Sequence, residues 1–155
     1  GGTIMTLLLT AALALASSPG GAAPAFRPAP PASVQAYFER LEAVFRADSD
    51  AADVDRLLVL FTPEGRYVHL RYEADFDLAA WRAAFLRNLE RGAFTASVDA
   101  CIAITNHIPG DGVAAIEYAY GTRCHGGDCR PEGDERLLAL FHLEGERIGK
   151  VEELW

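Results

Sequence analysis

The sequence predicts an α+β fold. Three N-terminal helices pack on the concave face of a bent, mostly antiparallel sheet, giving a cone-shaped half-barrel with an internal pocket. Two observations predict it. First, the amphipathic segments of helical period all precede Gly92, and extended segments fill the rest of the chain. Second, Arg136 to Trp155 reads as a β-hairpin, with Glu144-Gly145-Glu146-Arg147 as its turn. Its first strand carries Leu137, Leu138, Leu140, Phe141 and Leu143, apolar on both faces, as a central strand covered on both sides would be. With Gly145 and Glu146 as loop residues, Leu143 faces Ile148, Phe141 faces Lys150 and Leu140 faces Val151. The same register sets Leu138 opposite Glu153 and His142 opposite Gly149.

Taken in order, no charged residue precedes Arg27. Met5 to Ala16 is an apolar run, too short for the ~20 residues that span a bilayer. With the small residues that follow, it reads as a secretory signal over residues 1–25, cleaved after Ala14-Leu15-Ala16 or Ala23-Pro24-Ala25. Residues 26–32 form a Pro-rich spacer, disordered or extended, and 33–155 form one domain.

Helix 1 starts at Ser33 as N-cap, with Val34, Tyr37, Phe38, Leu41, Val44 and Phe45 on its apolar stripe. Glu39, Arg40, Glu42 and Arg46 fill its other face. Asp53 caps a short second helix through Phe61, stopped by Thr62-Pro63-Glu64-Gly65. Arg66 to Tyr72 alternates as a strand, and Leu78 to Arg91 is a third helix ending at Gly92. Phe94 to Ile108 and Val113 to Thr122 are strands joined by Pro109-Gly110-Asp111-Gly112.

The 155 residues carry a net charge of −8, which disfavours nucleic acid and anionic membrane as partners and leaves neutral or cationic ones. Of three cysteines, Cys124 and Cys129 enclose His125-Gly126-Gly127-Asp128. The expectation is a short Cys124–Cys129 disulfide, with Cys101 a buried thiol in an apolar strand. The alternative is a metal site of Cys124, His125, Asp128 and Cys129, which lacks a second ligand cluster elsewhere. No metal and no cofactor is expected.

From Ser33 onward the sequence resembles the nuclear transport factor 2-like superfamily, including polyketide cyclase (SnoaL-like) and ketosteroid isomerase-like proteins. The residues that carry it are Val34 to Phe38, Leu57 to Gly65 running into Arg66-Tyr67-Val68-His69, Trp81 to Phe85, and Gly145 to Trp155. The resemblance implies a helix-1 tyrosine that donates to a substrate oxygen, at Tyr37, and a proton-moving group on the first strand, near His69. A histidine suits that role because its pKa of ~6.5 lies near neutrality. The second acid of the isomerase oxyanion hole falls near Ala139, and the Arg-x-Asp strand motif of limonene epoxide hydrolase-like members is absent. Neither steroid isomerisation nor that route of epoxide hydrolysis is therefore expected.

Trp81, Asp99, Tyr118, His142 and Glu153 are the candidate pocket residues, with Tyr120 beside them. Trp81 and Trp155 also read as core aromatics. Of Glu152 and Glu153, one should be exposed and one at the pocket mouth or in an ion pair, with Arg123, Arg136 and Lys150 as available partners. The reading is of an exported domain that binds a small hydrophobic molecule in an apolar pocket without catalysis. The alternative is an isomerase, dehydratase or cyclase using Tyr37 and His69 on a hydrophobic carbonyl compound. A homodimer through the convex sheet face is expected from the resemblance and from the two-sided apolar strand.

Overall fold

The computed structural model describes residues 28–155. The signal expected over residues 1–25 lies outside the described residues, as do residues 26 and 27 of the spacer. The rest of the spacer runs without regular structure into α1 (Ala32–Phe45), and the Pro28 carbonyl lies 3.3 Å from His107 Nδ1.

Helix α1 has Pro31 at its N-cap with no side-chain hydrogen bond, so Ser33 is not the cap. It buries Val34, Tyr37, Phe38, Leu41 and Val44, the stripe the period predicts, and also Glu42. Glu42 belongs to the buried side because it accepts from the Ile102 N–H at 2.7 Å and pairs with both Arg123 guanidinium nitrogens at 2.9 and 3.1 Å. Helix α2 (Ala51–Leu58) is capped by Asp50, and Asp53 is the N3 partner that returns the bond to the Asp50 N–H. It ends before Phe61, because Phe61 opens strand β1 (Phe61–His69). Thr62-Pro63-Glu64-Gly65 is thus no turn but an irregular stretch inside β1, where the pairing to β7 shifts register between Phe61 and Arg66. Strand β2 (Ala74–Asp77) hands over to α3 (Leu78–Glu90), whose first turn is capped by Asp77 accepting from the Ala80 N–H.

Strands β3 (Ala100–Pro109), β4 (Val113–Arg123), β5 (Cys129–Pro131), β6 (Leu137–Glu144) and β7 (Arg147–Glu153) complete a sheet of order β2-β1-β7-β6-β4-β3, with β5 on β4. All pairs are antiparallel except β1 with β7. The helices cover one face, where Tyr37, Phe38, Leu57 and Trp81 meet Ile116, Ala139, Phe141 and Val151. Each such large apolar side chain contributes roughly 1.5–3 kcal/mol by burial. Strand β6 is central, but this chain covers only one of its faces: Leu137, Ala139 and Phe141 are buried while Leu138 is 41% exposed.

The hairpin register departs from the expected one, and the departure decides the site. Leu143 does face Ile148, but His142 then pairs with Lys150, Phe141 with Val151, Leu140 with Glu152 and Ala139 with Glu153. Gly149 is an extra residue, a β-bulge on β7. A one-residue slip sends every later side chain to the opposite face. Glu153 therefore joins Ala139 and Phe141 on the inner face, and His142 joins Lys150 and Glu152 on the outer one.

The expected Cys124–Cys129 disulfide is also corrected. Cys129 bonds Cys101, 28 residues away, and Cys124 is free and exposed. Cys101 pairs with Gly121 across β3 and β4, on the face opposite Ile102 and Tyr120. A Cβ on Gly121 would lie 2.1 Å from the Arg130 carbonyl oxygen. The bare glycine lets β5 cross at contact distance and brings Cys129 to Cys101. Cys129 is thereby held in a disulfide and has no thiolate to offer, and among the described residues no group of three or more His, Cys, Asp or Glu could hold a metal.

Candidate functional site

Between α1, α3 and the inner face of the sheet lies a cavity of about 170 Å³. Among the described residues its wall is aromatic except for Leu41, Asn88 and Glu153, and no Lys or Arg lines it. Each wall follows from an element. Helical spacing puts Tyr37 and Leu41 of α1 on one side; Trp81, Phe85 and Asn88 of α3 form another. Strand alternation turns Tyr67 of β1 and Tyr118 and Tyr120 of β4 inward. Tyr67 stacks on Trp81 with centroids 4.3 Å apart and planes 10° from parallel.

Glu153 is 3% exposed. Its Oε2 accepts from the Tyr118 hydroxyl at 2.8 Å and from Trp155 Nε1 at 2.9 Å. Oε1 accepts no hydrogen bond among the described residues. Burial pushes the Glu153 carboxyl above the usual carboxylate range, and the two donors on Oε2 pull it back only in part. Burial, followed by the nearby Glu153 charge, also raises the phenols of Tyr37, Tyr67 and Tyr118, and pushes Tyr120 up to about 12. These hydroxyls therefore stay protonated at neutral pH. The Tyr37 hydroxyl is buried with no hydrogen-bond partner among the described residues, an arrangement that costs about 1–3 kcal/mol unless a guest or water completes it.

Five of the residues expected at the pocket line the cavity: Tyr37, Trp81, Tyr118, Tyr120 and Glu153. His69 is on the same inner face, paired in register with Glu153, so it and Tyr37 do lie on one side of the sheet. Its ring, however, is 3% exposed and packed against Trp155 and Tyr72, with centroids 4.5 and 4.4 Å away, and it is not part of the wall. Neither ring nitrogen has a hydrogen-bond partner among the described residues, and burial, then Arg71, lowers its pKa, which favours the neutral imidazole. Asp99 and His142 are not at the cavity. Asp99 is exposed, just before β3, where its carbonyl accepts from the Arg123 N–H. His142 is on the outer face, its Nε2 2.5 Å from Glu152, because it alternates along β6 with the buried Ala139 and Phe141. Arg123 serves Glu42 and Lys150 serves Glu152, so neither reaches Glu153.

The residues not expected in the wall are Leu41, Phe45, Tyr67, Phe85, Asn88 and Phe94. Helical spacing from Trp81 marks Phe85 and Asn88, and alternation with His69 marks Tyr67; these were the available signals. Trp155, expected as a core aromatic, both lines the cavity and donates to Glu153.

No family model matches the sequence, and no curated protein is significantly similar to it. Solved structures are similar in fold. A protein of ketosteroid isomerase-like fold from Catenulispora acidiphila, solved with trimethylamine, is 18% identical, with a TM-score of 0.52 over 81% of this chain and 85% of its own. A nuclear transport factor 2-like protein of unknown function from an Exiguobacterium species gives 18% identity and a TM-score of 0.52, over 78% of this chain and 95% of its own. A provisionally assigned polyketide cyclase from Sinorhizobium meliloti gives 15% and 0.51, over 79% and 94%. With its three helices on an open, mostly antiparallel seven-stranded sheet, this chain has the nuclear transport factor 2-like fold.

Proposed function

We propose that the protein binds a small, largely apolar molecule in the aromatic cavity and does so without turnover. The observation that carries this reading is Glu153: a buried carboxyl, one oxygen of which accepts no hydrogen bond among the described residues, in an otherwise uncharged and mostly aromatic wall. A few convergent polar groups in an apolar concavity are what a binding site needs. The volume of about 170 Å³ is close to that of an engineered cavity of about 150 Å³ that takes up benzene, so the enclosed part of a ligand is small. A fold neighbour was solved with trimethylamine, itself a small molecule. Titration with cavity-sized compounds, followed through the indole N–H resonances of Trp155 and Trp81, tests the reading. Saturable shifts at both are expected; no saturable shift at millimolar ligand would overturn it.

A second reading is acid–base turnover of a hydrophobic carbonyl compound, by an isomerase, dehydratase or cyclase. It is favoured by the Tyr37 hydroxyl and a carboxyl of raised pKa opening on one cavity, with His69 one strand away from Glu153. Tyr37 would donate to the carbonyl oxygen, and Glu153 or His69 would move the proton. On this reading Tyr37→Phe loses turnover while the fold persists; unchanged turnover would end it.

We also propose export and self-association. The Cys101–Cys129 disulfide suits an oxidising compartment, in keeping with the apolar run at Met5 to Ala16. Thiol labelling of denatured, unreduced protein should find one free thiol, at Cys124. Leu138 and Ile108 are exposed on the outer face, which supports a homodimer there. Light scattering at micromolar concentration should give the dimer mass.

A further inference from the structure

We infer that the cavity is selective for a small organic cation, an ammonium bearing methyl groups, which sits among the aromatic faces with its charge toward Glu153. The inference rests on the cavity being a binding site, as proposed above. Three features single out a cation among small apolar guests. The wall carries the rings of Tyr37, Tyr67, Trp81, Tyr118 and Trp155, and the negative face of an aromatic ring attracts a cation. Among the described residues Glu153 is the one carboxyl on that wall, and no Lys or Arg lines the cavity to neutralise it. Its two protein donors both sit on Oε2, leaving Oε1 with lone pairs and no donor among the described residues.

A buried carboxylate without a countercharge is expensive, and the usual remedies are a paired cation or protonation. The candidate partners within the chain are engaged elsewhere or neutral. Arg123 holds Glu42, Lys150 holds Glu152, and burial favours the neutral imidazole of His69. A methylated ammonium supplies the missing charge while presenting the aromatic walls with methyl groups. The net charge of −8 would draw a cation toward the protein in any case.

The test is a calorimetric comparison of choline with 3,3-dimethylbutan-1-ol, which replaces the charged nitrogen by carbon at nearly the same shape. Choline should bind the wild-type protein at least about tenfold more tightly than the alcohol. Glu153→Gln should erase that preference. If the alcohol binds as tightly as choline, the cation inference is overturned and the binding reading stands. If neither binds at millimolar concentration, both are overturned. The wild-type comparison decides the matter even where the Glu153 variant fails to fold.

Discussion

On the outer face of β7, Glu152 lies between His142 and Lys150, at 2.5 and 3.2 Å, and these partners hold its carboxyl below the usual range. One residue later, on the inner face, Glu153 meets two neutral donors and an aromatic cavity, and burial pushes its carboxyl up. The two side chains are chemically identical. What separates them is strand parity, and that parity is set by the Gly149 bulge. The two faces are also held by different means. The inner one is secured by packing around Phe141, Ile116 and Val151, and the outer one by ion pairs and the Cys101–Cys129 bond across Gly121.

Inserting an alanine between Lys150 and Val151 should break the comparison with the largest effect. The pairs beyond His142–Lys150 would slip by one, which places Glu152 inward and Val151 and Glu153 outward. Burying unpaired charge costs about 3–5 kcal/mol, so the variant should lose cooperative unfolding or most of its stability. A thermal melt followed by circular dichroism checks this; a native-like melt would show that β7 absorbs the extra residue without changing faces. Removing the outer-face disulfide comes next. Closing a loop of 28 residues is worth about 3.5 kcal/mol by chain entropy, so a Cys101→Ala/Cys129→Ala double variant should lose an amount of that order in urea denaturation. A double variant as stable as wild type would leave the crossing of β5 at Gly121 to account for the outer face alone.

A smaller effect, of opposite sign on the two faces, should appear in the pH dependence of stability. Glu153 has a raised folded pKa, so its contribution is fully present below the ordinary glutamate value and is lost as pH rises through the raised one. Glu153→Gln should therefore gain on wild type as pH increases over that window. Glu152 has a lowered pKa, so its contribution is present above the ordinary value and is lost as pH falls through the lowered one. Glu152→Gln should cost no more than about 1 kcal/mol at neutral pH, because the pair is partly solvated, and the cost should vanish in acid. Denaturation midpoints of both variants from acid to neutral pH report this; parallel curves would remove the distinction between the faces.

Much of the fold was legible because it rests on period and order. The α1 stripe from Val34 to Val44, α3 from Leu78 and the central β6 follow from apolar spacing. The Tyr37 and Trp81 walls of the cavity follow with them. What stayed hidden depends on single-residue events that period cannot report. The Gly149 bulge moved Glu153 to the face of Ala139 and Phe141, away from that of His142, although the turn and the Leu143–Ile148 pair were as expected. The Cys101–Cys129 bond depends on where β5 crosses β4, which is fixed by the missing side chain at Gly121 and not by the spacing of Cys124 and Cys129. Glu42 reads as solvent-facing by residue type, and only the tertiary approach of Arg123 and the Ile102 N–H makes it a buried one.

The most direct test of the account is a carboxyl-detected NMR titration that resolves the side chains of Glu152 and Glu153. The account predicts that Glu153 titrates above the ordinary glutamate range and Glu152 below it, with the Trp155 indole N–H shifting in step with Glu153. Glu153 titrating at or below the ordinary range, or the Trp155 indole following Glu152 instead, would contradict the assignment of Glu153 to the cavity.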